Sequence, residues 1–484
     1  MSRAGLLAAA GARAALVAGC FGDDEQARDG GPPEQSGIRA DAPNVIMILT
    51  DDQEPETVRF MPHVRRQLAG SGVTFSNAYV SVPECCPSRV SLLTGQYAHN
   101  HGVISNRPPD GGFDAFTNDR NALPAWLQEG GYRTGYVGKY LNGYGWEALG
   151  NDPTEVPPGW SYWAALTNHT EYQMYGYSIN AGGSVETYGE EPADYQTDVL
   201  TERAVRFVER GADRRAPFFL TVAPLAPHDE GLLEDMDVPR NPRPAPRHQG
   251  RFANQPLPGG RALNESDVSD KPRFVKSDPP LSRAELGELR TLHRSRLESL
   301  LAVDDMVAEL SATLKQNGEL ADTVFVYTSD NGYLLGQHRQ TGKRRAYKES
   351  AGVPLVIRGP GFSGGSVRRQ PVSNIDLVST IVEISGVEPG LELDGVSLLP
   401  LARDEARERP PVLIEVLAGN GFAAIRTERF LLAEHAKGAT ELYDVRRDPA
   451  ELDNLTRLSR YKPVRRELSR KLSELRECAG PSCR

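Results

Sequence analysis

Residues 85–95 read CCPSRVSLLTG, which sets a thiol, a proline and an arginine within five positions of one another. Cys85 is a nucleophile candidate, Pro87 marks the start of a helix, Arg89 is a fixed cation, and Gly95 stops the helix. That is the outline of a centre that handles an anion. A cysteine at a helix start also serves as a buried thiol, or as a metal or disulfide partner, so the residue types alone leave those uses open. Two further segments carry oxygen donors. NVIMILTDDQ ends in Asp51 and Asp52, and TVFVYTSDNG ends in Asp330 and Asn331. Three carboxylates and one amide suit a single hard cation, Ca²⁺ or Mg²⁺, although acidic pairs after strands also act as turn and cap residues.

The elements that must position these groups are legible in outline. Both donor segments open with an apolar, β-branched run, the pattern of a buried parallel strand, and ligand sites in open α/β sheets lie at the carboxyl ends of such strands. MPHVRRQLAGSGVTFSNAYV predicts a helix and strand feeding the cysteine loop, and LPAWLQEGGYRTGYVGKYLNGYG predicts helix, turn and strand. Ser282 and Glu285 form a capping box opening a long helix that leads into the Asp330 strand. Beyond residue 370 the pattern shifts to short strands, PPVLIEVLAG, FAAIRTERFLLAEH and ELYDV, closed by a helix through RELSRKLSELREC.

A chain of 484 residues has room for a large α/β domain and a smaller companion. Its net charge of −10 disfavours a general nucleic-acid-binding role. The first twenty residues, MSRAGLLAAAGARAALVAGC, read as an export signal too short to span a membrane. Their close, Val17-Ala18-Gly19-Cys20, resembles the bacterial lipobox, which implies a lipid on Cys20 holding an exported protein at a membrane surface. Residues 21–41, rich in Gly, Asp, Glu and Pro, read as a flexible tether. Cys478 and Cys483 enclose a tight loop where a local disulfide is plausible in an exported chain.

The segment at 85–95 is similar to the sulfatase signature C-x-P-S-R-x-x-x-L-T-G at every fixed position, and the resemblance extends over most of residues 43–455. It implies an alkaline-phosphatase-like fold: a large mixed, mostly parallel central sheet flanked by helices, with a smaller C-terminal antiparallel sheet and helix. The expected division is a catalytic domain over 42–369 and a smaller α+β domain over 370–484. The resemblance implies that Cys85 is converted to formylglycine (3-oxoalanine) by a formylglycine-generating enzyme. It places one divalent metal on Asp51, Asp52, Cys85, Asp330 and Asn331. Lys139, in VGKYLNGYG, and Lys343, four residues before Tyr347, match the lysines that hold sulfate, and His228, after FFLTVAPLAPH, matches the histidine near the scissile oxygen.

The implied reaction is hydrolysis of a sulfuric ester on a sulfated sugar or an aryl sulfate. The double cysteine, G-K-Y-L and T-S-D-N-G-Y most resemble the N-acetylglucosamine-6-sulfatase branch. The rival within the superfamily is a phosphonate monoester or phosphodiester hydrolase, which can share the cysteine motif; a non-catalytic surface lipoprotein is the third class. One departure stands out. Many sulfatases carry a histidine two residues after the first lysine, where this chain has Leu141, so His99 and His101 are candidates to replace it, with His338 a candidate for substrate contact. Residues 240–276 hold Arg240, Arg243, Arg247, Arg251, Arg261, Lys271, Arg273 and Lys276 against Glu265, Asp267 and Asp270, eight minus three, or +5. A solvated loop and a basic rim steering a polyanionic substrate are both consistent with that excess.

Overall fold

The computed structural model describes residues 41–211, 216–231, 240–405 and 408–484, all within one compact unit, Ser36–Arg484. The leader, Cys20 and most of the tether lie outside the described residues. Four strands form the centre of a ten-stranded sheet: β1 (Asn44–Thr50), β2 (Arg133–Lys139), β3 (Phe218–Ala223) and β4 (Thr323–Ser329). They lie side by side in the order β4-β1-β3-β2, all parallel. Every residue of β1 and β4 is buried, which is why both read as unbroken apolar runs and not as alternating ones.

The two faces of β1 commit to two cores. Val45, Met47 and Leu49 point to one, which also holds Cys86 and Val90 of helix α1 (Cys85–Thr94) and Leu377 and Val378 of the helix Ile375–Ser385. Ile46 and Ile48 point to the other, where they meet Leu300, Val303, Met306 and Val307 of helix α2 (Arg283–Gln316). Burying each such side chain stabilises the fold by about 1.5–3 kcal/mol, so a one-residue slip of β1 would be costly on both faces. Helix α2 opens on the expected box: Ser282 Oγ accepts from the Glu285 amide, and the Glu285 carboxylate accepts from the Ser282 amide. Gly95 ends α1 with φ 71°, the left-handed conformation that favours glycine.

The sheet extends further than the sequence reading specified, through the strands Tyr162–Leu166, Ser178–Ala181 and Val185–Thr187 on one side. At the C-terminal end, Val412–Val416, Phe422–Arg426, Phe430–His435 and Thr440–Asp444 make a four-stranded antiparallel meander, and the helix Lys462–Leu475 packs against it. That sheet begins at Val412; the segment just after residue 370 instead supplies the helix Ile375–Ser385, which shares the core of α1. No helix among the described residues is long and apolar enough to cross a membrane.

The backbone that delivers Lys139 is tight. Gly138 has φ 108°, and a Cβ there would lie 2.1 Å from the Ala223 carbonyl oxygen of the paired strand β3. Gly138→Ala is therefore expected to lose about 3 kcal/mol or more of stability, and to move Lys139, because strain and overlap with backbone add. Urea unfolding of the variant checks this, and a stability within 0.5 kcal/mol of the parent, taken as roughly the scatter of surface changes, would refute it.

Candidate active site

The two donor pairs meet because their strands are neighbours in register. Thr50 of β1 pairs with Ser329 of β4, and the Asp330 amide donates to the Thr50 carbonyl at 3.1 Å, so the strand ends run out together. Asp52 takes the left-handed conformation, φ 67°, which Asp tolerates better than most residues, and its amide donates to Asp330 Oδ1 at 3.1 Å. Helix α1 points its first turn at this place. Cys85 Sγ lies 3.5 Å from Asp51 Oδ1 and 2.8 Å from Lys343 Nζ, whereas Cys86 faces the apolar core and its amide donates to Asn106 Oδ1 at 2.8 Å. The two adjacent cysteines thus have separate surroundings.

Arg89, one turn along α1, is buried between the two strands. Its Nε donates to Asp330 Oδ2 at 2.8 Å, one Nη donates to Asp51 Oδ2 at 3.2 Å, and the other donates to the Lys139 carbonyl at 2.6 Å. Lys139 Nζ pairs with Asp51 and lies 4.2 Å above the Tyr172 ring. Lys343 Nζ pairs with Asp52 Oδ1 at 2.5 Å. His228 Nδ1 lies 2.7 Å from the Asp229 carbonyl, which can only accept, so Nδ1 carries a proton and Nε2 is left facing Asp52 Oδ2 at 3.5 Å. All five residues expected to be catalytic and all four expected oxygen donors therefore converge on one place.

The charges there perturb one another. Burial alone would raise the Asp51 carboxyl, but Lys139, His228, Arg89 and Lys343 outweigh it and hold it well below the usual carboxylate range. Asp52 is lowered in the same way, against its own burial, chiefly by Lys343 and His228. Asp330 goes the other way: burial and the neighbouring Asp51 push it up, against Arg89 and the lysines. The Cys85 thiol is pushed well above its ordinary value by burial and Asp51, so an unmodified thiol here would stay protonated and be a poor nucleophile. Lys139 and Lys343 stay charged, because their carboxylate partners overcome the burial that would neutralise them.

The donor set fits a hard cation. Asp51, Asp52, Cys85 and His228 each offer an atom within 4.8 Å of the others. Asn331 adds an orphan: its Nδ2 donates to Asp52 and to the Gly332 carbonyl, while its Oδ1 is buried with no partner among the described residues. A buried acceptor without a donor is costly, and a cation at the carboxylate cluster would satisfy it.

Several expectations do not survive. His99 is held by Glu415, at 2.9 Å, and by the Cys478 carbonyl, and His101 Nε2 lies 3.0 Å from Ser91 Oγ; neither hydrogen-bonds Cys85, whose partner is Lys343. Leu141 is core. His338 is no substrate contact: it is fully buried, bonded to Glu265 at 2.7 Å and stacked on Tyr347 at 4.1 Å. Three of the eight basic residues of 240–276 are engaged within the fold. Arg243 pairs with Glu230 and Glu190, Arg247 with Asp198 and Asp305, and Lys271 is buried against the Glu451 and Leu452 carbonyls. The neutralising acids of the two arginines lie outside 240–276, so a count along the chain could not see them.

Other residues were missed. Arg296 of α2 is buried and donates to the Asp52 and Pro227 carbonyls and to Glu54 Oε2 at 3.0 Å, holding a donor strand and the His228 loop together. The available signal was an arginine within the apolar stripe of an amphipathic helix. Tyr172 bridges Lys139 and His228, its ring 4.9 Å from the imidazole. Beside it, Glu171 is buried with neither carboxylate oxygen hydrogen-bonded among the described residues.

Only with this geometry in hand do comparisons with known proteins add weight. The sulfatase family model matches residues 43–387, and the model for the C-terminal part of N-sulphoglucosamine sulphohydrolase matches 336–478. N-acetylglucosamine-6-sulfatase of Capra hircus is 32% identical over 91% of this chain and 85% of that protein. A solved structure of a protein in complex with its substrate D-glucosamine-2-N,6-O-disulfate superposes with a TM-score of 0.74 at 26% identity, over 90% of this chain and 98% of that one. The phosphonate monoester hydrolase of Agrobacterium radiobacter, at 23% identity and a TM-score of 0.71 over 90% of this chain and 95% of that one, shares the fold. The chain belongs to the sulfatase family. It is a sulfuric ester hydrolase, of a family that works through formylglycine and a metal ion.

Glu171 generates a pH prediction. Burial pushes its carboxyl up to about 8, against Lys139, which lowers it. An unfolded chain would release that proton near pH 4.3, so between the two values the folded state retains a proton the unfolded state has lost, and stability falls as pH rises through that window. Glu171→Gln is expected to change Tm little near pH 5 and to raise it increasingly toward pH 8. Thermal melts across pH check this, and a difference that does not vary with pH would exclude it.

Proposed function

We propose that this sulfatase removes the 6-sulfate of a glucosamine-type sugar, acting through formylglycine at position 85 with one Ca²⁺, and that it works outside the cytoplasm. The observation that carries the site assignment is the convergence of Cys85, Lys139, Lys343 and His228 on the Asp51–Asp52 strand end. The substrate assignment is supported by the N-acetylglucosamine-6-sulfatase relative and by the neighbour bound to a glucosamine disulfate. Export is supported by the leader, with a lipid on Cys20 as the anchor, and by the Cys478–Cys483 disulfide, which suits an oxidising compartment.

The roles follow from the contacts. Formylglycine at position 85 would supply an oxygen nucleophile, which a protonated buried thiol is not. Asp51, Asp52, Asp330 and Asn331 would hold the cation, which supplies Lewis acidity at the nucleophile and a sulfate oxygen. Lys139 and Lys343, already charged, turn from their carboxylate partners to the sulfate oxygens. Arg89 stays with Asp51 and Asp330 and fixes both strand ends. His228, with its Nδ1 proton held by the Asp229 carbonyl, faces the site through Nε2, and as the imidazolium it would give the Nε2 proton to the departing sugar oxygen and be left neutral. Burial keeps bulk water out and strengthens each of these interactions.

Two predictions follow from the roles. Cys86→Ala should retain the aldehyde mass on the active-site peptide while Cys85→Ala abolishes it, since only counting from Cys85 places Pro87 and Arg89 correctly; an aldehyde found on residue 86 would overturn this assignment. Chelation should remove activity, and Ca²⁺ or Mg²⁺ should restore it better than Zn²⁺, because the expected protein ligands are oxygens. Two tightly bound zinc ions in active enzyme would favour a phosphatase-like site instead.

A further inference from the structure

A cavity of about 760 Å³ lies between the strand Ala78–Tyr79, the turn Pro55–Phe60 and the end of the C-terminal sheet. Neither Cys85, Lys139, His228 nor Lys343 lines it. Its volume falls within the roughly 300–1,000 Å³ of small-molecule sites. Its interior holds buried polar atoms with no hydrogen-bond partner among the described residues. His293 of α2 is 2% exposed, and neither ring nitrogen has a partner among the described residues. Arg426, also 2% exposed, gives one Nη to Glu451 and lays its guanidinium 4.3 Å from the Tyr79 ring centroid, while its Nε and other Nη, like the buried Glu349 Oε2, have no hydrogen-bond partner among the described residues. Each such group costs about 1–3 kcal/mol if it stays dry, and native folds rarely collect several at one place.

The character of the lining selects a ligand. Burial pushes the His293 imidazole down to about 4, so it is held uncharged and offers hydrogen bonds without charge, and burial pushes the Glu349 carboxyl up against the neighbouring Lys348. Tyr79 and Phe60 line it, each with one face under a guanidinium, Arg426 at 4.3 Å from the Tyr79 centroid and Arg59 at 4.6 Å from that of Phe60. At the rim, Arg59 and Arg369 are exposed and form no ion pair among the described residues. Aromatic faces meet the C–H faces of a pyranose, uncharged donors and acceptors meet its hydroxyls, and free guanidinium groups meet an anionic substituent. We infer that this cavity is a second carbohydrate site, which holds a sulfated or carboxylated saccharide unit of a polymeric substrate apart from the catalytic centre. The inference builds on the sulfated-sugar reading above and adds a place where a longer chain is retained.

The test uses full-length Cys85→Ala protein, which binds without turnover, and a heparin-derived tetrasaccharide as probe. Hydrogen–deuterium exchange should slow at residues 55–60 and 76–79 as well as around the nucleophile. Arg369→Ala and His293→Leu should each weaken tetrasaccharide binding at least fivefold, while both changes, made in the active enzyme, leave kcat/KM for a small aryl sulfate unchanged. Arg369 is exposed, so that variant serves even if His293→Leu folds poorly. Protection confined to the nucleophile's surroundings, unchanged affinity in both variants, or no binding at all would overturn the second site. Failure to hydrolyse glucosamine 6-sulfate, with cavity protection intact, would instead sink the substrate reading alone.

Discussion

The buried guanidinium of Arg89 is the contact on which the rest of the site depends. Asp51 and Asp330 end adjacent parallel strands, and two carboxylates side by side in a dry interior would repel strongly unless a cation lay between them. Arg89 bonds both and also binds the carbonyl of Lys139, the residue that ends β2. One side chain on the nucleophile helix thus ties three strand ends together. Removing one member of such a buried set costs about 3–5 kcal/mol, because it strands an uncompensated charge. A lysine in its place could not bond two carboxylates and a carbonyl from one planar fork.

Charge balance extends the same constraint. Asp51, Asp52 and Asp330 contribute minus three, and Arg89, Lys139 and Lys343 contribute plus three, so the centre is neutral while the lysines rest on the carboxylates. A divalent cation at the carboxylates would bring the set to plus two and free both lysines. Inorganic sulfate, the product, carries minus two. The residues are therefore matched to a metal and a sulfate together, and the ammonium–carboxylate pairs seen here are the arrangement that neutralises the centre with neither present.

What was legible in the sequence was whatever chemistry is written locally. The eleven residues from Cys85 carry nucleophile, helix start, cation and helix stop in one stretch, and the apolar runs before Asp51 and Asp330 reveal buried parallel strands because nothing polar interrupts them. Direction and partnership were not legible. His99, His101 and His338 lie near the right segments, yet His99 turns to Glu415 and His338 to Glu265, both far along the chain, and His101 turns back to Ser91 of α1. Arg243 and Arg247 look like free charge only while Glu230, Asp198 and Asp305 are out of view. Arg296 was hidden for the opposite reason. Its role is to satisfy the carbonyls of Asp52 and Pro227, and backbone acceptors carry no sequence signature.

The small C-terminal sheet belongs to this argument as well. Tyr347, four residues after Lys343, donates its hydroxyl to Glu441 Oε1 at 2.7 Å, and Tyr443 donates to the same oxygen while His435 lies 2.7 Å from the other. Directly after the lysine, the Arg344 amide donates to the Pro83 carbonyl at 3.1 Å, and its guanidinium pairs with Glu84, the residue before Cys85. Lys343 therefore leads directly into a short segment, Arg344–Tyr347, fixed at its start to the residues that enter α1 and at its end to the antiparallel sheet. A long lysine side chain loses up to about 2 kcal/mol of rotamer freedom when it is ordered, and a loop held at both ends lowers the remaining cost of placing its ammonium near Cys85. The family model for the C-terminal part starts at residue 336, before that lysine, and runs to 478, so it takes in the loop and the sheet as one piece. The physical reason is that the sheet is the wall against which the lysine loop is set.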